Sequence, residues 1–369
     1  MSQLFGSDIT LPRDPIEPLQ ATTKQYVDAI ATNVRQVEME IGLLLAQSNI
    51  PSDWCTIKMN LLRSSEYIRV LAYSPELDIF VGGGSAGTMA YSKDGVIWRT
   101  VSRVGTSITY KILWVPEKSF FLCCNWSGEI AVSYDGKTWT VVHKYSSPGV
   151  LCWSPDLKLF LVTGFNRFLL SSTDGINWSA RSTTGTFFSY QYPMDMIWDG
   201  INKRFLGVGG YVNSGDNEMV QSSDGTAWVR SMHSGIAYSS IVSVGYSPTM
   251  NRYAIGSSYA EISLSNDSTG TSWTKRGNYK ESSANYLYTM RWYTGLNCFV
   301  TGAARDGRLF VSTDGTNWPA RITPFTATGG IYDIAYSPQS KVFVIGGAAG
   351  SGGMIATRKL NNVSELVNA

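Results

Sequence analysis

From about residue 52 onward the chain is a succession of short runs in which alternate positions are hydrophobic, separated by clusters of Gly, Pro, Ser and Asp. Alternation over so few residues marks half-buried strands, and the clusters mark turns. The first full unit shows the order of parts. Tyr67 to Ala72 alternates as a strand, Pro75 to Asp78 turns, Ile79 to Val81 is a short apolar strand, and Gly82 to Gly87 reads as a loop. Thr88 to Tyr91 then pairs back, Asp94-Gly95 supplies the positive-φ positions of a tight hairpin, and Trp98 opens an outer strand. The first fifty residues follow another rule. Pro12, Pro15 and Pro18 forbid a helix, whereas Val27, Ile30, Val34, Val37, Ile41 and Leu44 recur at the alternating spacing of three and four that marks a heptad seam.

The strand pattern repeats. Ser-x-Asp-Gly-x-x-Trp places Asp94 with Trp98, Asp135 with Trp139, Asp174 with Trp178, Asp224 with Trp228 and Asp314 with Trp318, and a stretched copy places Asp267 with Trp273. Successive tryptophans are 41, 39, 50, 45 and 45 residues apart, the length of one four-stranded propeller blade. An aromatic-x-Pro opener or a relative of it runs in phase seven times, at Tyr73, Trp114, Trp153, Trp198, Tyr246, Trp292 and Tyr336. The last unit stops before an outer strand, and Ser52 to Lys58, with Trp54 lying 44 residues before Trp98, has a strand but no opener. The two fragments complete each other. The sequence therefore predicts an all-β, seven-bladed β-propeller over residues 51–359, closed by the Trp54 strand, after an extended arm at 1–21 and a short coiled-coil-like helix at 22–50, with a tail at 360–369. Ring closure leaves only short, protected strand edges.

Thr22 and Gln25 form a capping box at the start of that helix, and Pro51 ends it. β-Branched residues at both seam positions favour three strands, so a homotrimer is expected; a single amphipathic helix docked on its own propeller is the alternative.

Composition removes several function classes. Glycine is 36 of 369 residues, charged residues make up 16%, and 30 basic residues face 28 acidic ones for a formal charge of +2. A chain so balanced has no electrostatic footprint for nucleic acid or an acidic membrane surface. Cys55, Cys123, Cys124, Cys152 and Cys298 have no metal-type spacing and read as buried free thiols. The start resembles no signal peptide and no long apolar run occurs, so folding in a cytosol without membrane insertion is expected.

The repeated hairpin resembles the Asp-box repeats of sialidase-like and related β-propellers, shortened by one residue between Asp and Trp. That likeness implies fold more than activity, since Asp boxes occur in hydrolases, lectins and assembly factors alike. The stretch from Leu11 to Ala29, with Lys24-Gln25-Tyr26-Val27-Asp28 after a Pro-rich arm, resembles the virion-proximal motif of tailed-phage tail-fibre and receptor-binding proteins. This resemblance implies a role: a protein made in host cytoplasm and carried on the virion, docked on other tail or baseplate proteins by its N-terminus, presenting its head to a bacterial surface glycan or outer-membrane protein.

An enzyme would need more than the sequence offers. A sialidase-like hydrolase requires an arginine cluster, a tyrosine nucleophile and an acid/base carboxylate, yet the arginines are scattered and the Arg-Ile-Pro start signature is missing. His143 and His233 are the only histidines, too few for a His-rich metal site or a Ser-His-Asp triad. No catalytic residue, metal or cofactor is expected. A glycan-degrading tail enzyme and a purely structural tail protein remain the alternatives. Recognition is expected on the loops between middle strands and between blades, where aromatic residues can stack on sugars. Tyr190, Tyr192, Tyr211, Tyr238, Tyr279 and Tyr286 are the candidates, with Phe187, Phe188 and Tyr288 on the same loops.

Overall fold

The computed structural model describes residues 54–58, 66–145, 149–164, 168–188, 193–210, 217–232, 240–278, 285–321, 323, 325, 329–349, 352–360 and 364–367. The predicted arm, the helix and its seam from Val27 through Ile30, Val34, Val37 and Ile41 to Leu44 lie outside these. Two compact units divide the chain, Met1–Ser48 and Asn49–Ala369, and every described residue belongs to the second.

That unit is a seven-bladed β-propeller. Seven sheets, six of them built from consecutive strands and all antiparallel but for one added strand, stand with their innermost strands side by side around an axis. Numbered in chain order, the blades have inner strands Ile68–Ser74, Thr109–Val115, Gly149–Ser154, Pro193–Asp199, Ile241–Ser247, Met290–Tyr293 and Gly329–Ser337. Blade 4 carries a fifth strand, Thr184–Gly185, laid parallel to its outer strand Ala227–Met232. Blade 7 draws its outer strand from the other end of the chain: Cys55–Lys58 pairs antiparallel with Gly352–Lys359, in the register Cys55 to Thr357 through Lys58 to Met354. Trp54, at the head of that strand, is buried edge-on against Phe343.

The openers and the hairpins are local devices with physical causes. In the opener, the serine hydroxyl accepts the amide three residues on, Ser74 from Leu77 and Ser154 from Leu157, each at 3.1 Å, and so caps the turn to the second strand. Asp199 does the same in blade 4, accepting from Ile201 and Asn202. In the hairpin, Asp94 Oδ1 accepts the amides of Val96 and Ile97 at 2.8 and 2.7 Å, and the Trp98 indole donates to the Gly95 carbonyl at 2.8 Å. The same indole bond recurs at Trp178, Trp273 and Trp318; the buried Trp139 and Trp228 nitrogens have no partner among the described residues.

The hairpin glycine has two tasks. Gly136 sits at φ +70°, and a Cβ there would lie 2.5 Å from Ile79 and 2.8 Å from Val81 of the preceding blade. The motif therefore staples its own turn and presses it against its neighbour.

Two glycine-rich runs, Gly82 to Gly87 and Gly346 to Gly353, read in the sequence as connections between strands, yet most of their glycines lie in strands. Gly82, Gly83 and Gly84 belong to Ile79–Gly84, and Gly346 and Gly347 to Val342–Ala349. A Cβ on Gly83 would meet Thr109 of the next blade at 2.7 Å, and one on Gly347 would meet the Gly330 carbonyl at 1.9 Å. Glycine here permits close approach to a neighbouring strand rather than a turn. All five cysteines are free thiols; four are buried, but Cys55 on the outer strand is only half-buried, because an outer strand has no further sheet to cover it.

Candidate functional site

Antiparallel order fixes two faces. The turns after the inner strands share one face with the Asp-Gly hairpins. The inner strands start at the other, where one blade passes to the next.

Near that start, five inner strands slip register, between Ile68 and Val70, Thr109 and Lys111, Pro193 and Asp195, Ile241 and Ser243, and Ile331 and Asp333. Each slip is a bulge that leaves an extra residue unpaired: Arg69, Tyr110, Met194, Val242 or Tyr332. On a regular strand consecutive side chains point to opposite faces, and a bulge re-aims one of them. Consecutive pairs consequently line the same axial cavity: Arg69 with Val70, Tyr110 with Lys111, Met194 with Asp195 and Tyr332 with Asp333. The cavity holds about 520 Å³, within the range of roughly 300–1,000 Å³ usual for small-ligand sites.

Two carboxylates inside it are fully committed. Asp333 accepts from Arg291 Nε and Nη2 at 2.9 and 2.6 Å, from the Thr289 hydroxyl at 2.8 Å, and from the Leu71 amide of blade 1 at 2.9 Å. Burial pushes the Asp333 carboxyl up, but the Arg291 charge and these hydrogen bonds outweigh it and hold the group below the usual carboxylate range. Arg291 is correspondingly held charged: burial alone would lower its pKa, and Asp333 more than reverses that. Asp195 accepts the Lys111 ammonium at 2.7 Å, its neighbour's Met196 amide at 3.0 Å, and the Val244 amide at 3.2 Å. It thus joins blades 2, 4 and 5. A general acid needs a raised pKa and a free proton position, and Asp333 has neither.

The rim at the inner-strand starts is aromatic and cationic. The Arg69 guanidinium lies 4.0 Å over the Tyr288 ring, with the Tyr332 and Tyr110 centroids at 5.6 and 5.9 Å. Tyr286 stacks on Tyr288 at 4.9 Å, Tyr67 packs on Tyr332 at 5.0 Å, and Trp126 stacks on Tyr110 at 5.2 Å with 42% of its surface exposed. Burial pushes the Tyr288 phenol up to about 12 against the opposing Arg69 charge, so it is a neutral ring at physiological pH.

Of the residues singled out by sequence, Tyr286 and Tyr288 fall in this rim; Tyr190, Tyr192, Tyr211, Tyr238 and Tyr279 lie outside the described residues, as does His233. Phe187 and Phe188 are not recognition residues: both are 2% exposed and pack with Trp228 in the core of blade 4, since the fifth strand folds that loop back onto the blade. His143 sits within the outer strand Thr140–Lys144. Asp94, Asp135, Asp174, Asp224, Asp267 and Asp314 all occupy turns on the hairpin face, away from the rim. No group of three or more potential metal-ligating His, Cys, Asp or Glu side chains occurs among the described residues.

Sequence reading missed Arg69, Tyr110, Lys111, Asp195, Arg291, Asp333 and Tyr332. The signal was nonetheless present: Lys111, Asp195 and Asp333 each stand three residues before an opener aromatic, in strands that are otherwise apolar.

Comparison with known proteins adds the fold. No protein-family model matches the chain, and no curated protein does. Among solved structures, YCF48 of Cyanidioschyzon merolae superposes with a TM-score of 0.59 at 12% identity, over 83% of this chain and 98% of that one. The extracellular domain of BT4673 from B. thetaiotaomicron superposes with a TM-score of 0.62 at 11% identity, over 86% of this chain and 42% of that one. At such identities what this chain shares with them is the propeller architecture, and nothing of their biology follows from it.

Proposed function

We propose that the protein is a non-enzymatic receptor-binding head of a phage tail, joined to the virion through its N-terminal arm, trimeric through its helix, and bound to a bacterial surface glycan at the aromatic rim. The observation that carries the binding claim is the rim itself: Tyr110, Tyr288 and Tyr332, brought from different parts of the ring to line one cavity, with Trp126 stacked on Tyr110 and Tyr286 on Tyr288. Aromatic faces stack on the apolar faces of sugar rings, and rigidly held tyrosines lose little entropy on doing so. The Pro-rich arm and the Lys24-Gln25-Tyr26-Val27-Asp28 stretch support the tail-fibre role. The committed state of Asp195 and Asp333 favours a binder over a hydrolase.

Fluorescently labelled full-length protein, applied to a panel of bacterial strains beside an assay for reducing ends released from envelope polysaccharide, tests the proposal. Adhesion to some strains without release is expected, and Trp126→Ala should weaken it by about 1–2 kcal/mol. Release of reducing ends would make the protein a depolymerase; neither adhesion nor release on any strain would leave a bracing tail component. Mass measurement in solution should give a trimer.

A further inference from the structure

The axial cavity is lined by three cations, Arg69, Lys111 and Arg291, and two carboxylates, Asp195 and Asp333. Lys111 and Arg291 each pair with one of the carboxylates, and backbone amides and Thr289 take up the remaining acceptor positions. Arg69 is left over. No described residue accepts a hydrogen bond from it, and its charge is balanced only by ring faces, that of Tyr288 closest. A guanidinium stacked on a ring face keeps its N–H donors in its own plane, directed past the ring. The bulge at Ile68 and Val70 is what puts it there, since a regular strand would turn either Arg69 or Val70 away from the axis. Arg69 is half-buried, with solvent access at the rim, and a site for a neutral sugar has no use for a cation there.

The geometry points to an anionic saccharide as the ligand of the rim, its carboxylate or phosphate bound by the edge of Arg69 while a sugar ring stacks on the aromatic wall. The inference rests on the rim being the glycan site and adds the charge of the glycan. The pairing of Lys111 and Arg291 makes the recognition single-pointed: one anionic group, at one place on the rim. Arg69 presents parallel N–H groups to either a carboxylate or a phosphate, and this planar fork suits both.

Titration of the full-length protein with methyl glucuronide, glucose 6-phosphate and methyl glucoside separates the cases. At least one of the two anionic probes should bind about tenfold more tightly than the neutral glucoside, the effect of one charge-assisted hydrogen-bonded contact. Preference for the glucuronide identifies uronic-acid polymers as the source, and preference for the phosphate identifies phosphorylated envelope sugars. Arg69→Gln should bring the anionic probes down to the level of the glucoside, and Arg69→Lys should retain part of the preference. Added salt should weaken anionic binding to the wild type, a readout that needs no variant to fold. Equal binding of all three probes, no binding of either anionic probe at millimolar concentration, or a preference that survives Arg69→Gln with an unchanged melting curve would overturn the inference. Adhesion to bacteria persisting alongside any of these results would leave the receptor-binding reading intact, while loss of adhesion to every strain would remove that reading instead.

Discussion

At the residue scale, one methyl group is a severe perturbation where a hairpin meets the blade before it. Gly136 combines a left-handed backbone with a Cβ position already occupied by Ile79 and Val81, so Gly136→Ala should cost about 2–4 kcal/mol from backbone strain plus overpacking. Urea denaturation measures it, and a loss below half a unit of that scale would mean the two blades can separate freely. Acid should act through the aspartates. Asp135, Asp174, Asp224, Asp267 and Asp314 in the hairpins, and Asp333 in the axial cavity, all have carboxyls held below the ordinary range; burial works the other way in each and is overcome, by hydrogen bonds from the turn in the hairpins and by Arg291 and hydrogen bonds at Asp333. A depressed folded-state pKa gives stability that is present in full above the unfolded value, about 4, and is lost as pH falls through the lower folded values. The melting temperature should therefore decline steeply below about pH 4. Asp333→Asn should flatten part of that decline while lowering stability at neutral pH by about 2–3 kcal/mol, because the half-buried Arg291 is left without its counter-charge and its charge-assisted hydrogen bonds. Replacing both partners by apolar residues of similar size should cost less than Asp333→Asn alone.

At the scale of the element, the closing strand tests how a ring depends on one short piece. Deleting residues 1–58 removes Cys55–Lys58 and Trp54 together, exposing the edge of Gly352–Lys359 and the Phe343 cluster that Trp54 covers. The truncated protein should melt without a cooperative transition and self-associate through that edge; an unchanged melting curve would mean that three strands suffice for blade 7. Elements of this kind were legible in the sequence because their causes are local. Asp94, Gly95 and Trp98 satisfy one another within a few residues, so spacing alone announces the hairpin, and seven openers in phase announce the number of blades. The channel was not legible in the same way. Arg69, Tyr110, Tyr288 and Tyr332 come from four blades, and only the register of their inner strands, with bulges that no local motif marks, brings them to one rim. Glycine misled for a related reason: Gly83 and Gly347 answer to a neighbouring strand, and a neighbour distant in sequence leaves no trace in the local pattern.

At the scale of the whole molecule, the channel ties blades that are not adjacent. Asp195 reaches Lys111 of blade 2 across blade 3, which contributes only Gly149 and Val150 at that level, while its second oxygen holds blade 5. Asp195→Ala should lower stability by about 3–5 kcal/mol, and hydrogen exchange should quicken in the inner strands of blades 2, 4 and 5 before it does elsewhere. Change confined to blade 4 would limit Asp195 to a role within its own sheet. The strand that completes blade 7 has a further consequence, one of timing. Cys55–Lys58 is synthesised before any inner strand, yet its partner Gly352–Lys359 is made only after all seven of them. During synthesis the first strand must wait unpaired while six blades form, and a chain that stops short has nothing for it to pair with. A chain broken off before Gly352 is thus an open ring with unpaired strand edges, a form that proteases can distinguish from the closed propeller.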